Sequence, residues 1–160
     1  MTFDPTEKIV LAAQGYSELG MHDEALAELD SLPKKSQALL AVLETRVIVL
    51  MHAKRWEAAL EASYKLCKAD PDRSHSFIHA AFCLHELGRT ADARDMLLSG
   101  PPGLHRLPTF HYNLACYECQ LGNLDLARAH LQRSIQLDKT FRQLAKTDPD
   151  LQALRNAPEK

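Results

Sequence analysis

Alanine recurs along this chain at a fixed interval of 34 residues, at Ala25, Ala59, Ala93 and Ala127. Five residues before each alanine, the same interval places Gly20, Lys54, Gly88 and Gly122. A 34-residue period in a helical sequence indicates an array of helix-turn-helix units. Because each unit buries its apolar face against its neighbours, the period predicts an all-α array that shares one continuous core.

Glycine, proline and capping residues divide the chain into paired helices, and no strand pattern occurs in the sequence. Asp4, Pro5 and Glu7 form a helix start, with Asp4 as the N-cap. The predicted helices cover residues 5–19, 22–32, 36–53, 56–69, 74–87, 90–98, 108–121 and 124–137. Two shorter helices are predicted at 141–146 and after Pro149, and residues 99–103 form the conspicuous loop.

The periodic alanine has a steric reason. Two antiparallel helices approach closely only where a side chain is small, and a larger residue would force them apart. The first helix of each unit repeats a second small position, at Ala13, Val47, Ala81 and Ala115. Small and large residues at these fixed offsets are therefore expected to interdigitate in the core.

The composition is typical of a single soluble domain, which we expect to span residues 1–160. The net charge is −2 with 25 % charged residues, and no basic face indicates a nucleic-acid partner. No apolar run reaches the roughly 18 residues that a membrane span needs. The four cysteines are too few for a disulfide scaffold, and the N-terminus lacks a signal-peptide pattern. We therefore expect a cytoplasmic protein.

From residue 6 to about residue 139, the chain resembles the tetratricopeptide repeat (TPR) family. The residues that match its pattern are Ala13, Tyr16, Gly20, Ala25, Leu29, Val47, Leu50, Ala59, Pro71, Ala81, Leu84, Gly88, Ala93, Leu97, Ala115, Gly122, Ala127 and Leu131. Lys54, Ser63 and Glu118 depart from it. The resemblance implies a right-handed α-solenoid of antiparallel helix pairs, with four repeats at about 6–39, 40–73, 74–107 and 108–141. A capping segment at about 139–160 would supply apolar contacts from Phe141, Leu144, Leu151 and Leu154.

The resemblance also implies that the first helix of each pair lines a concave groove that binds peptides. The candidate peptide-binding residues are Gln14, Glu44, Ile48, Met51, His75, Ile78, His79, Phe82, His85, Tyr112, Asn113 and Cys116. These positions hold no lysine or arginine, so the basic clamp with which some family members grip a terminal carboxylate is not expected. Phe82 and Tyr112 are the aromatic side chains expected to anchor a partner.

The predicted helices 36–53 and 74–87 are apolar nearly all round, which indicates that something covers each face. The cover could be the array itself, a partner segment or a second copy of the chain. We therefore expect an interaction module that binds a partner peptide or helix in an apolar groove. The alternatives are a chaperone for a secreted or assembled client, which Leu66-Cys67-Lys68-Ala69-Asp70 faintly resembles, and a homo-oligomeric scaffold, including a homodimer.

No catalytic constellation, phosphate-binding loop or nucleophile motif is present in the sequence, so we expect no enzyme activity and no cofactor. His75 and His79 lie one helical turn apart, and His85, His111 and the pair Cys116 and Cys119 lie in nearby repeats. Imidazole and thiolate at such spacing can bind zinc. Because a second ligand pair at the spacing of a zinc finger is missing from the sequence, we expect no metal site.

Overall fold

The computed structural model describes residues 4–158, and these form helices and turns without a strand. The α-helices are α1 (Pro5–Glu18), α2 (His22–Asp30), α3 (Lys34–Gln37), α4 (Leu40–His52), α5 (Trp56–Ala69), α6 (Ser74–Glu86), α7 (Thr90–Leu98), α8 (Pro108–Gln120), α9 (Leu124–Leu137), α10 (Phe141–Ala145) and α11 (Gln152–Asn156). Two 3₁₀ turns, Pro102–Arg106 and Pro149–Leu151, precede α8 and α11. The fold is an all-α helical repeat solenoid, as the 34-residue period predicts.

Helices α1/α2, α4/α5, α6/α7 and α8/α9 form four successive pairs, each joined by a tight turn. In each turn one residue has a left-handed backbone, with φ of 76° at Gly20, 55° at Lys54, 77° at Gly88 and 84° at Gly122. This conformation is open to glycine and costs other residues roughly 1–2 kcal/mol. The recurring glycine therefore follows from the turn, and Lys54 adopts the same turn despite its side chain.

The periodic alanines lie in the first turn of the second helix of each pair. Ala25, Ala59, Ala93 and Ala127 are all 0 % exposed, and so are the small residues Ala13, Val47, Ala81 and Ala115. The predicted close contact within each pair is therefore confirmed. One core cluster runs through pairs 2 to 4, and a second one is built mainly from α1 and α2, with Leu26 packed against both.

The start of the second pair differs from the prediction of one continuous helix over 36–53. A short helix, α3, ends at Gln37, and α4 begins only after Leu39, whose backbone is extended with ψ of 141°. Helix α2 also ends earlier than predicted, at Asp30. The Gln37 Nε2 atom donates to the Leu32 carbonyl at 2.8 Å, which fastens α3 beneath the end of α2.

The second helices of the pairs alternate in length. Helices α2 and α7 have 9 residues each and are followed by an additional turn, α3 or Pro102–Arg106. Helices α5 and α9 have 14 residues each. Pro33 and Pro101, which begin the two additional turns, lie 68 residues apart. Pairs 1 and 3 therefore have a short second helix followed by an additional turn, whereas pairs 2 and 4 have a long second helix. Each residue of pairs 1 and 2 can thus be compared with the residue 68 positions later.

The inner face of the array is formed by the first helices. Helix α1 contacts α4, α4 contacts α6, and α6 contacts α8, whereas comparable contacts between successive second helices are lacking in the described residues. Helices that touch lie on the inside of a curve, and helices that are spread apart lie on its outside. Helices α1, α4, α6 and α8 therefore line the concave side.

The C-terminal segment, residues 141–157, packs on the last pair. Leu151 is 0 % exposed, and Leu154 and Ala145 join it in the core cluster with residues of α8 and α9. Leu144 is 50 % exposed, so of the four predicted apolar contacts it contributes least. This segment covers the apolar side of pair 4 that a further repeat would otherwise cover.

The part of the chain that the structure describes contains no helix long and apolar enough to cross a bilayer. All four cysteines are unpaired, and Cys83, Cys116 and Cys119 are buried. Burial raises the pKa of the Cys67 and Cys83 thiols to about 11, so both are protonated at neutral pH. Because thiolates are the reactive form, these cysteines are packing residues.

Three histidines from the Pro102–Arg106 turn, α8 and α9 lie side by side. The ring of His111 lies 6.4 Å from that of His105 and 5.8 Å from that of His130, measured between centroids. The His111 Nε2–H donates to the His105 carbonyl at 2.9 Å. Burial lowers the pKa values of both His111 and His130, and the backbone bond to His105 only partly opposes this for His111.

We expect the protein to lose stability as the pH falls below about 6.5. An unfolded histidine takes up its proton near that pH, whereas His111 and His130 stay neutral to lower pH in the fold. Unfolding therefore binds protons in this window, so the stabilisation is fully present above pH 6.5 and declines toward the lowered pKa values. The melting temperature at pH 5 should be lower than at pH 7.5 by about 2–4 °C. His111→Leu should reduce this difference, and an unchanged pH profile in that variant would contradict the assignment.

Candidate functional site

The inner face of α1 and α4 is open and apolar. Ile48 is 37 % exposed, and Leu11 of the neighbouring helix is 51 % exposed. Gln14 is exposed beside Leu11 along α1, and Met51 continues the line of Ile48 with its side chain half-buried. Exposed apolar side chains on neighbouring first helices are typical of a binding surface.

Helix α6 continues this face with a more polar surface. His75 is exposed, and His79 is half-buried one turn further along the helix. Burial lowers the pKa of His79, and the nearby charge of His75 lowers it further. The Glu44 carboxylate is paired with Arg73, immediately before α6, so neither charge is free to attract a distant ligand. The open face is therefore close to neutral at pH 7.

Phe82 and Ile78 stand deeper in the wall of the groove than the sequence suggests. The Phe82 ring lies edge-on to Trp56, with centroids 5.8 Å apart and planes inclined by 64°. Ile78 is 7 % exposed. Only part of the Phe82 ring faces solvent, because α5 contributes Trp56 to its support. A ligand could therefore contact the exposed part of the Phe82 ring, while Trp56 holds the ring in place.

The other half of the inner face is closed by the C-terminal segment. The Tyr112 hydroxyl donates to the Asp148 carboxylate at 2.7 Å, and the Tyr112 ring lies 4.9 Å from the ring of Phe141. The Cys116 thiol points to the same carboxylate at 3.9 Å. His85 of α6 reaches Asp150 through its Nε2 atom at 2.9 Å. The segment thus extends across α8 as far as α6.

The hydrogen bonds that Asp148 accepts from Tyr112 and Cys116 come from protonated donors. Burial raises the pKa of Tyr112, and its hydrogen bond to Asp148 adds to that rise. The pKa of Cys116 is likewise raised, first by burial and then by the charge of Asp148. Both groups therefore keep their protons and donate to the carboxylate. Asp148 is half-buried and also accepts from the Asp150 backbone N–H at 2.9 Å.

Among the described residues, Cys116, Asp148 and Asp150 have ligand atoms within 4.8 Å of one another, as a metal site would require. The arrangement has a simpler role, because a protonated thiol is a poor metal ligand and both carboxylates already accept hydrogen bonds. The histidines considered in the sequence do not join this group. The absence of a bound metal stays a prediction.

The structure divides the candidate peptide-binding residues into three sets. Exposed residues are Gln14, Ile48 and His75, and half-buried residues are Glu44, Met51, His79, Phe82, His85 and Asn113. Buried residues are Ile78, Tyr112 and Cys116. A ligand reaches Tyr112 and Cys116 only if residues 141–151 move away. Sequence analysis missed the role of Asp148 and Asp150, for which the helix-start pattern Asp148-Pro149 was the only signal.

The chain has a TPR fold, which several solved structures share. MamA from Desulfovibrio magneticus RS-1, from residue 41 to its end, is 15 % identical over 97 % of this chain and 90 % of MamA, with a TM-score of 0.75. PilF of Pseudomonas aeruginosa is 14 % identical over 97 % of this chain and 77 % of PilF, with a TM-score of 0.70. YrrB, described as a TPR protein with an unusual peptide-binding site, is 14 % identical over 92 % of this chain and 80 % of YrrB, with a TM-score of 0.65.

Comparison of the sequence with protein-family models and with curated proteins finds no match. The likeness to solved structures therefore defines the fold. The predicted repeat boundaries at 6–39, 40–73, 74–107 and 108–141 stay predictions, as does the assignment of the whole chain to one domain.

Proposed function

We propose that this protein is an interaction module that binds a segment of a partner protein along the inner face of α1, α4 and α6. The observation that carries the proposal is the exposure of Leu11 and Ile48, at 51 % and 37 %, on two first helices of an array whose first helices line the concave side. A concave apolar surface with a few polar groups at its edges is the usual form of a peptide-binding groove. The peptide-binding site ascribed to YrrB supports the same use of this fold.

The partner segment is expected to be apolar and close to neutral. Arg73 is neutralised by Glu44, and His79 is held neutral by burial, so the groove offers no cluster of charge to an acidic or basic peptide. Binding then depends on apolar contact area at roughly 25 cal/mol per Å², less the cost of ordering the peptide. The groove ends at α8, because the C-terminal segment contacts Tyr112 and Cys116 there.

Peptides selected from a random displayed library on the purified protein would test this proposal. The selected peptides should shift the backbone amide resonances of α4 and α6 in a two-dimensional NMR spectrum. Ile48→Glu should weaken their binding at least about 10-fold, because it places a charge where apolar area is buried. Tyr112→Ala should weaken binding much less, since the C-terminal segment already covers Tyr112.

Leu126→Glu is the matched control, because Leu126 is 53 % exposed on α9, away from the inner face. It should leave the affinity unchanged. If Leu126→Glu and Ile48→Glu have equal effects, the site is not the inner face. If light scattering shows that the protein is a dimer and that Ile48→Glu makes it monomeric, a second copy fills the groove and the proposal is wrong.

A further inference from the structure

A cleft of about 830 Å³ lies between α2 and α5, with α4 as its floor. Its apolar lining comes from Leu26, Leu43, Leu50 and the small residues Ala58 and Ala62. A cleft of several hundred cubic ångströms with an apolar floor has the size of a typical ligand pocket. The proposed binding of a partner along the inner face does not involve this cleft.

The cleft faces away from the concave groove. Helix α4 presents Leu43, Arg46 and Leu50 to the cleft, whereas Ile48 and Met51 do not line it. At 100° per residue these two sets point roughly 130° apart around the helix axis. The cleft therefore lies on the outer side of pairs 1 and 2, and a ligand could occupy it while the groove is also filled.

The corresponding positions of pairs 3 and 4 carry aromatic rings. Gln37, Leu43 and Ala62 line the cleft, and the residues 68 positions later are His105, His111 and His130. The His111 ring lies between the other two, edge-on to His105 with centroids 6.4 Å apart and tilted against His130 with centroids 5.8 Å apart. At these three positions the second half of the array carries imidazole rings where the first half carries Gln37, Leu43 and Ala62.

The rim of the open cleft is basic. Six charged side chains line it, namely Asp30, Lys34, Arg46, Glu61, Lys65 and Lys68, which gives four positive and two negative charges. Arg46 is paired with Asp30 at 2.7 Å, and Lys65 with Glu61 at 2.8 Å. Within the described residues, no ion pair neutralises Lys34 or Lys68. The excess charge of +2 on the rim favours an acidic ligand.

The geometry points to a second binding site, in which this cleft receives an amphipathic helix of a partner protein with acidic residues beside its apolar stripe. The lining of α5 from Ala58 to Ala69 extends over roughly 16 Å, which matches about three helical turns. Ala58 and Ala62 allow close approach of a helix backbone, and large apolar side chains of the partner would occupy the space that histidine rings fill elsewhere. Glutamates on its flanks would meet Lys34 and Lys68.

Two designed peptides of about 14 residues test this site by fluorescence polarisation. Both carry leucines along one helical face, and the other positions are glutamate in one peptide and lysine in the other. The glutamate peptide should bind at least about 10-fold more tightly, and its advantage should shrink as salt is added. NMR shifts caused by this peptide should map to α2 and α5.

Two variants separate the site from the groove. Ala62→His introduces the residue that the equivalent position, His130, already carries, and should abolish binding by filling the cleft. Because Ala62 is 5 % exposed and belongs to the core cluster, circular dichroism must first show that this variant is folded. Lys34→Glu/Lys68→Glu should reverse the preference for the glutamate peptide, whereas Lys139→Glu/Lys146→Glu, at exposed lysines of the C-terminal segment, should not. Ile48→Glu should have no effect here, which distinguishes this test from that of the groove.

Several results would overturn the inference. Equal affinity for the two peptides would show that the excess positive charge of the rim does not select an acidic ligand. Shifts confined to α4 and α6 residues of the inner face would place the peptide in the groove. A dimer of the protein that dissociates in Lys34→Glu/Lys68→Glu would show that a second copy, not a partner helix, covers the cleft.

Discussion

Leu151→Ala is expected to lower the free energy of unfolding by about 2–5 kcal/mol, the range for a buried leucine that leaves a cavity. Leu151 is 0 % exposed and joins the C-terminal segment to the core formed with α8 and α9. Its loss would also loosen the hold of Asp148 on Tyr112 and Cys116, since Pro149–Leu151 is the turn that carries these contacts. Denaturant titration followed by circular dichroism measures the effect.

Leu144→Ala is the matched control in the same segment. Leu144 is 50 % exposed, so its truncation should change stability by less than about 1 kcal/mol. Trp56, the only tryptophan, lies in the second pair and reports on that region separately. If Leu151→Ala is no more destabilising than Leu144→Ala, the C-terminal segment does not contribute to the core as described.

Ala59→Leu is expected to destabilise the protein by about 1–3 kcal/mol through overpacking. Ala59 is 0 % exposed and lies in the main core cluster where α4 and α5 come together. Three additional carbon atoms at this point have no space, so the two helices must separate or neighbouring side chains must leave their rotamers. The melting temperature of the variant, measured at pH 7.5, reports the change.

Ala58→Leu changes the neighbouring residue in the same way and should be close to neutral. Ala58 is exposed, and Leu126, its counterpart 68 residues later, is a leucine that is 53 % exposed. Equal melting temperatures for the two variants would show that the 34-residue alanine is not the point of close contact between the helices of a pair.

The C-terminal segment sets the length of the groove. It covers the inner face of α8 and reaches α6 through the pair His85 and Asp150, so the open part of the groove spans α1, α4 and α6. The two apolar helices, α4 and α6, therefore differ in what covers them. Helix α6 is covered by the C-terminal segment at His85, whereas α4 keeps Ile48 exposed and is the better candidate for a partner contact.

The paired helices could be predicted from the sequence because their causes are local and periodic. A left-handed turn favours glycine at Gly88, and a close helix contact requires a small residue at Ala93, so both requirements appear at the same interval in every unit. The apolar inner face of α4 follows from the same period. These features depend on spacing along one helix or across one turn.

The closed half of the groove and the outer cleft could not be predicted in this way, because they depend on contacts between distant parts of the chain. Tyr112 and Asp148 are 36 residues apart, and His85 and Asp150 are 65 apart. Nothing local to Tyr112 indicates that a carboxylate will reach it. The sequence alone therefore determined the helix pairs, their turns and their buried alanines. Only the tertiary structure decided which part of the inner face is covered and where the outer cleft opens, since both depend on side chains that meet only after the array has folded.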